Sequence, residues 1–284
     1  MTDNPKKEIR VRLAPSPTGP LHLGTARTAL FNWLFSRQNN GRFILRIEDT
    51  DIERSEAQYE QDIIDGLKWL GLNWDEGPVA DAPVQSSKLK VKSYYKGDYG
   101  PYRQSERLDI YEKYLKKLLD KNWAYYCFCA KEELESERQA MISQGLAPKY
   151  SGKCRNLPRE ESENRIAKDE EAVIRFKIPS VETEFNDLIR GKVKFDTGLI
   201  GDIVIAKNLR TPLFNFAVVV DDFEMKITHI IRGEDHISNT PKQILIQRVL
   251  NIPTPKYAHL PLILGLDKSK LSKRHGATSV IEYE

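Results

Sequence analysis

The chain opens on a short alternation. Ile9, Val11 and Leu13 are separated by Arg10 and Arg12, the period of a β-strand. Pro15, Pro17, Gly19 and Pro20 then exclude regular structure. Leu23, Ala26, Leu30, Trp33 and Leu34 recur at helical spacing, which predicts a helix from about His22 to Arg37 with one apolar stripe. Asn39, Asn40 and Gly41 end it, and Phe43 to Ile47 reads as a buried strand. Tyr59, Ile63, Leu67 and Leu70 mark a second helix, with Gly71 where a C-terminal cap belongs. Strand, helix, strand, helix is the pattern of a parallel α/β sheet.

The pattern then changes. Glu76 to Glu106 is polar and rich in turn residues, and predicts a long surface connection into a new unit. Leu108, Tyr111, Leu115, Leu118 and Leu119 form an amphipathic helix, and Lys131 to Gln139 a strongly charged one. Ile174, Phe176 and Ile178 alternate with Arg175 and Lys177, as in an antiparallel strand with one wet face. Strands are expected again at Ile203 to Ala206, Phe214 to Val220 and Ile227 to Arg232. A last helix starts at Thr240, with Pro241 at its first position and Gln243 completing a capping box. So α/β character stands at both ends, with a different unit inserted between, and there is no internal repeat or low-complexity tract.

Composition narrows the class. The 284 residues are 40% hydrophobic and 30% charged, as in a globular protein. The net charge of +3 is too mild to announce nucleic-acid binding, which needs only a local basic face. The longest apolar run, Tyr257 to Leu266, contains His259 and Pro261 and is too short for a membrane span. Lys6, Lys7 and Arg10 are not followed by the apolar core of a signal peptide, so a cytoplasmic enzyme with no membrane partner is expected. The cysteines, Cys127, Cys129 and Cys154, are odd in number, which leaves free thiols or metal ligands.

Two segments carry candidate chemistry. Pro15 to Thr25 lies between a strand and a helix. A helix N-terminus offers free N–H groups and partial positive charge to a phosphate. Gly24 lets a nucleotide approach the backbone, and Ser16, Thr18 and His22 add donors. The plainer alternative is a proline-rich turn capped by a satisfied histidine. Lys270-Leu271-Ser272-Lys273-Arg274 clusters cations able to neutralise charge on a transferring phosphate, although read alone it is first a solvated basic loop.

Together the two segments resemble a known family. His22-Leu23-Gly24-Thr25 is similar to the HIGH signature of class I aminoacyl-tRNA synthetases, and Lys270 to Arg274 to their KMSKS loop. Arg12 to Gly19, Arg46 to Asp51, Trp69 to Leu72, Val219 to Asp222 and Ile231 to His236 resemble the glutamyl-tRNA synthetase family in order, across essentially the whole chain. The resemblance implies a Rossmann-type parallel sheet with an inserted α+β acceptor-binding domain. Residues 1–105 and 213–263 would be the two halves of the catalytic domain. Residues 106–212 would be the insert, and 264–284 the basic loop and the start of a stem-contact region.

The resemblance also implies roles. His22, Lys270 and Lys273 would be catalytic, and ATP would be bound by Ser16, Thr18, His22, Gly24, Thr25, Asp235, Lys273 and Arg274. Glutamate would be held by Arg12, Ala14, Ser16, Glu48, Phe214 and Arg232. An arginine can hold a carboxylate by a two-point fork, and Glu48 suits an α-ammonium group. Phe214 departs from the tyrosine the family usually carries, so one hydroxyl contact is missing. Arg12 and Glu48 could instead pair with each other, and Asp221-Asp222 reads as a turn at a strand end.

Cys127, Cys129, Tyr150 and Cys154 resemble a zinc site found in some members, with Asn156 where a histidine is frequent and Tyr150 as candidate fourth ligand. Implied partners are L-glutamate, ATP with Mg2+ and tRNA(Glu), acting on a monomer. The chain ends ten residues after Arg274, so a form lacking the helical anticodon domain is expected. Rival expectations are a glutamyl-queuosine tRNA(Asp) synthetase-like enzyme and a non-enzymatic tRNA- or nucleotide-binding paralogue.

Overall fold

The computed structural model describes residues 8–51, 53–79, 94–265, 267–268 and 279–283. Its first half begins with β1 (Arg10–Leu13), α1 (Leu23–Gln38), β2 (Arg42–Leu45) and α2 (Ala57–Trp69). β1 and β2 pair in parallel, in register from Arg10↔Arg42 to Leu13↔Leu45. α2 ends where the sequence predicts: Gly71 has φ +71°, and the next N–H, of Leu72, returns to Leu67 O at 2.9 Å.

α1 buries only part of its apolar stripe: Ala26 is inside and Leu23 and Trp33 are half-buried. Ala26, Ala29, Asn32 and Ser36 are inside, whereas Leu30 (42% exposed) and Leu34 (48%) face out. The reason is distance: α1 lies close against the sheet, and small residues allow that approach. Buried Asn32 donates from Nδ2 to Ile231 O at 3.0 Å and Thr28 O at 2.8 Å, which satisfies both N–H groups of the amide.

The connection from Glu76 to Glu106 is not wholly at the surface. β3 (Gly77–Pro78) pairs with β4 (Tyr95–Lys96), while Tyr102, Arg103 and Gln104 are buried. Glu76 accepts two bonds from Arg10, at 2.6 and 2.8 Å, and a third from the Tyr102 hydroxyl at 2.7 Å. A polar sequence has gone inside because its charges find partners there.

The next elements are α3 (Leu108–Asp120), β5 (Ala124–Cys127), α4 (Lys131–Ser143), α5 (Arg159–Ile166), β6 (Val173–Phe176), β7 (Glu182–Asp187), β8 (Gly191–Asp196), β9 (Ile203–Asn208) and β10 (Thr211–Pro212). β10, β9, β6 and β5 form an antiparallel sheet in that order. The expected wet face of β6 is not wet at Arg175, whose guanidinium stacks 3.9 Å over the Tyr150 ring. The chain closes with α6 (Phe214–Glu224), β11 (His229–Gly233), α7 (Thr240–Leu250) and β12 (Lys256–Leu260). β11 and β12 are parallel, β12 meets β7 at Tyr257↔Asp187, and β8 pairs with β7. β1 lies beside β11, with Thr228 N–H donating to Arg10 O at 2.9 Å. The two halves thus form one parallel α/β core. No described helix is long and apolar enough to cross a bilayer.

Phe214 to Val220 is the main correction: it is helical, as the first part of α6. A short apolar run does not distinguish a buried strand from a buried helix. Phe216 to Asp222 is buried on every side, so periodicity vanishes. α6 packs with α3, β6, β9 and α7 in one core that includes Tyr111, Phe176, Phe216, Val220 and Leu245. Residues 106–212 therefore share their principal core with the second α/β half. Thr240 and Gln243 make no capping box either; Thr240 Oγ1 accepts from Arg232, and Gln243 donates to Asn215 Oδ1 at 3.1 Å.

The shifted face of α1 has a measurable consequence. Ala29→Leu forces extra volume against the sheet and is expected to cost about 1–3 kcal/mol. Leu30→Gln is expected to change stability by less than about 0.5 kcal/mol. Urea denaturation of the two variants distinguishes them, and the opposite ranking would restore the predicted stripe.

Candidate functional site

A cleft of about 440 Å3 opens at the carboxyl ends of the parallel strands. β1 runs into it through Arg12, Ala14 and Ser16, and β2 through Glu48; β11 delivers Arg232 and Asp235. α6 adds Phe214, and the start of α1 adds His22, Gly24 and Thr25. This is where open α/β sheets bind ligands, because strand ends and helix N-termini converge there. Of the expected residues, Thr18 is exposed and outside the lining. Lys270, Lys273 and Arg274 lie outside the described residues. The chain is described again at Ser279, which bridges to His22, and Val280 N–H donates to Leu21 O at 2.9 Å.

His22 is the N-cap of α1. Its Nδ1 accepts the Gly24 N–H at 3.0 Å, which leaves the ring proton on Nε2. The plainer reading of a capping histidine is therefore met, and the same ring lines the cleft. α1 has no acidic residue in its first turn, so the positive end of its dipole is uncompensated. A Cβ on Gly24 would lie 3.3 Å from His22 Nδ1, so even alanine crowds the cap.

The opposite wall is charged and buried. Arg12 does not pair with Glu48: its Nε donates to Asp222 Oδ1 at 3.1 Å. Arg46 bridges the same Asp222 oxygen at 2.7 Å and Glu48 at 2.9 Å. Asp221 accepts from Arg107 at 2.6 Å, from Gln104 at 2.8 Å and from the Tyr111 hydroxyl at 2.9 Å. The expected turn at Asp221-Asp222 is thus corrected to a buried helical pair that neutralises three arginines. Burial would push Asp222 up, but Arg12 and Arg46 outweigh it and hold the carboxyl below its usual value. In Glu48 burial wins over Arg46 and Arg12, and the carboxyl is raised.

Arg232 has no ion pair among the described residues. Its Nε donates to His259 Nε2 at 3.2 Å and its Nη2 to Thr240 Oγ1 at 2.8 Å. Burial without a counter-ion lowers its pKa to about 10, so it stays charged at neutral pH and suits an anionic ligand. His236 packs against Phe214 with ring centroids 5.2 Å apart, and burial, then the Arg232 charge, pulls its pKa to about 4. Sequence reasoning gave His236 no role, and it did not single out Val218, Arg27 or the backbone at Pro261 to Ile263, all in the lining. The apolar run around Val218 carried no chemical signal.

Outside the cleft lining, Cys127, Cys129 and Cys154 place their sulfurs within 4.8 Å of one another. The Tyr150 hydroxyl is 3.4 Å from both Cys127 and Cys129, and accepts the Cys154 N–H at 2.9 Å. All four predicted residues are thus brought together. Burial pushes Cys129 up to about 12. It acts the same way on Cys127, but there Tyr150, the Cys129 N–H and Arg175 outweigh it and the pKa is lowered. Burial and the thiols push Tyr150 far up, so its oxygen favours the phenol form.

A doubly wound parallel core with a histidine-capped helix facing a charged cleft defines the catalytic fold of a class I aminoacyl-tRNA synthetase. The chain belongs to the tRNA synthetases class I (E and Q), catalytic domain, which it matches over residues 8–284. It is 54% identical to the glutamate–tRNA ligase of Carboxydothermus hydrogenoformans over 97% of its own length and 54% of that protein. It is 56% identical to that of Sulfurihydrogenibium sp. over 95% of its length, again 54% of the relative. A glutamate tRNA ligase from Elizabethkingia meningosepticum, crystallised in complex with its amino acid, superposes with a TM-score of 0.82 at 42% identity, covering 95% of this chain and 53% of that one. The chain spans about half the length of the curated relatives it matches.

The depressed His236 gives a direct check. Its ring protons are expected to show no titration between pH 6 and 8 and a midpoint of about 4 by NMR. A midpoint at the ordinary imidazole value would mean that neither burial nor Arg232 acts on the ring.

Proposed function

We propose that this chain catalyses the ATP-dependent joining of L-glutamate to the 3′ end of tRNA(Glu) through a glutamyl-adenylate. The supporting observation is the division of the cleft. One wall offers an uncompensated, buried Arg232 and the Glu48 carboxyl. The other offers the open N-terminus of α1 with its histidine cap. An amino acid fits the first and a polyphosphate the second.

In the first step a carboxylate oxygen of glutamate attacks the α-phosphorus of ATP, and pyrophosphate leaves. In the second the terminal ribose hydroxyl of tRNA attacks the activated carbonyl, and AMP leaves. No side chain serves as nucleophile; the work is alignment and charge stabilisation. Arg12, Ala14, Ser16, Glu48, Phe214 and Arg232 are assigned to glutamate. Ser16, Thr18, His22, Gly24, Thr25, Asp235, Lys273 and Arg274 are assigned to ATP, with Lys270 and Lys273 on the leaving pyrophosphate. Magnesium held by phosphate oxygens and water would supply further charge neutralisation. In this reading 1–105 and 213–263 are the halves of the catalytic domain. Residues 106–212 are the acceptor-binding insert, 264–284 begin the stem-contact region, and the protein works in the cytoplasm as a monomer.

ATP–pyrophosphate exchange with glutamate and tRNA(Glu) tests the activity, and glutamate is expected at the acceptor end. Labelling of an internal base instead would mean a glutamyl-queuosine tRNA(Asp) synthetase, and no exchange would mean a binding paralogue. Lys273→Ala is expected to slow adenylate formation about 100-fold while changing glutamate affinity little. Equal losses in both would remove the leaving-group role.

The thiol cluster fits a structural zinc through Cys127, Cys129 and Cys154, with Tyr150 at the fourth position. Protein purified without chelator is expected to hold about one zinc per chain, and Cys154→Ser to lose it. Wild-type protein without zinc would discard the metal reading.

A further inference from the structure

We infer that His259 is a positioning residue for Arg232, presenting it with a ring nitrogen that Asp187 keeps in the acceptor state. The inference rests on the reading of Arg232 as a partner of the glutamate substrate.

The argument begins with what an arginine can do. All of its nitrogens donate and none accepts. Arg232 Nε lies 3.2 Å from His259 Nε2, so that ring nitrogen must accept. A neutral imidazole that accepts at Nε2 carries its proton on Nδ1. His259 Nδ1 lies 2.6 Å from Asp187 Oδ2, an acceptor in the right place for that proton. Asp187 is itself held: its Oδ1 accepts the N–H groups of Ile189 at 3.0 Å and Arg190 at 2.9 Å, and the carboxylate also accepts the His259 N–H at 3.1 Å. Thr240 completes the arrangement. Its hydroxyl accepts from Arg232 Nη2 at 2.8 Å, lies 3.1 Å from His259 Nε2, and has His236 O at 3.4 Å to receive its own proton. His259 and Thr240 are fully buried, and Asp187 and Arg232 nearly so.

The device solves a specific problem. A carboxylate against Arg232 would fix it equally well but would cancel the charge needed for the ligand. Two neutral acceptors fix the guanidinium and leave its charge uncancelled. The Asp187 charge is set one ring further away, on the opposite side of His259. Asp187 ends β7, within the 106–212 segment, and pairs with Tyr257 of β12. The amino-acid site is therefore oriented by a residue of the insert, which touches no substrate position in the cleft.

The test uses the whole chain. L-glutamate and, separately, ATP are titrated into wild type, His259→Gln and His259→Asn by calorimetry, and the His259 tautomer is read from its 15N NMR signals. Glutamine keeps an acceptor oxygen near the Nε2 position, while asparagine reaches only as far as Nδ1. His259→Asn is expected to lose glutamate affinity about tenfold or more, with ATP affinity within about twofold of wild type. His259→Gln is expected to recover most of the loss, and the wild-type ring to carry its proton on Nδ1. Normal glutamate binding by His259→Asn, or a proton on Nε2, overturns the inference. Loss of glutamate and ATP affinity together in both variants overturns it as well, since that is a structural effect alone. A wild-type chain that binds no glutamate overturns the functional reading with it, a result distinct from the others.

Discussion

Two adjacent carboxylates, Asp221 and Asp222 on α6, hold the molecule's working parts together. Both are buried, and each is neutralised by groups from distant parts of the chain. Asp221 takes Arg107, Gln104 and Tyr111 from the start of the 106–212 segment and the turn before it. Asp222 takes Arg12 from β1 and Arg46 from the end of β2. A buried charge stripped of its partner costs about 3–5 kcal/mol, so none of these groups can leave alone. Because the carboxylates are sequence neighbours on one helix turn, they fix the first strand pair against α3. The ends of β1 and β2 then meet at the cleft in a defined geometry.

From that constraint follows the charge pattern of the site. Arg46 satisfies both Asp222 and Glu48, so Glu48 is held at the cleft wall while one of its oxygens is engaged. Arg12 is tied through Nε to Asp222. Arg232, by contrast, is held by neutral acceptors and keeps its charge uncancelled. Across the cleft, α1 begins without an acidic residue and with its cap supplied by His22. The proposed division into an amino-acid wall and a phosphate wall rests on this contrast of charge. The family match runs over residues 8–284, and the chain covers about half the length of the curated relatives.

Much of this was legible in order along the chain. The Pro15–Thr25 turn announced a strand-to-helix junction through its prolines and glycines, and Ser16, His22, Gly24 and Thr25 from it line the cleft, whereas Thr18 does not. The cysteines and Tyr150 also came together as the family resemblance implied, with Cys127 at the end of β5. Three local patterns misled for physical reasons. α1 advertises Leu30 and Leu34 yet buries alanine and asparagine, since close packing on a sheet selects small size over hydrophobicity. Phe214 to Val220 lost its period through complete burial. Thr240 and Gln243 look like a cap, but Arg232 and Asn215 compete for them.

The sequence by itself determined the alternation of elements, the turn chemistry at Gly71 and before α1, and the identity of the charged groups. These depend on neighbours a few positions apart, where backbone geometry is nearly independent of the rest of the fold. Only the tertiary structure decided which charges cancel and which survive. Arg12 chose Asp222 over Glu48 across 210 positions, and His259 met Asp187 across 72. Such choices are made by low-dielectric burial among strands and helices from several parts of the chain, and no local spacing encodes them.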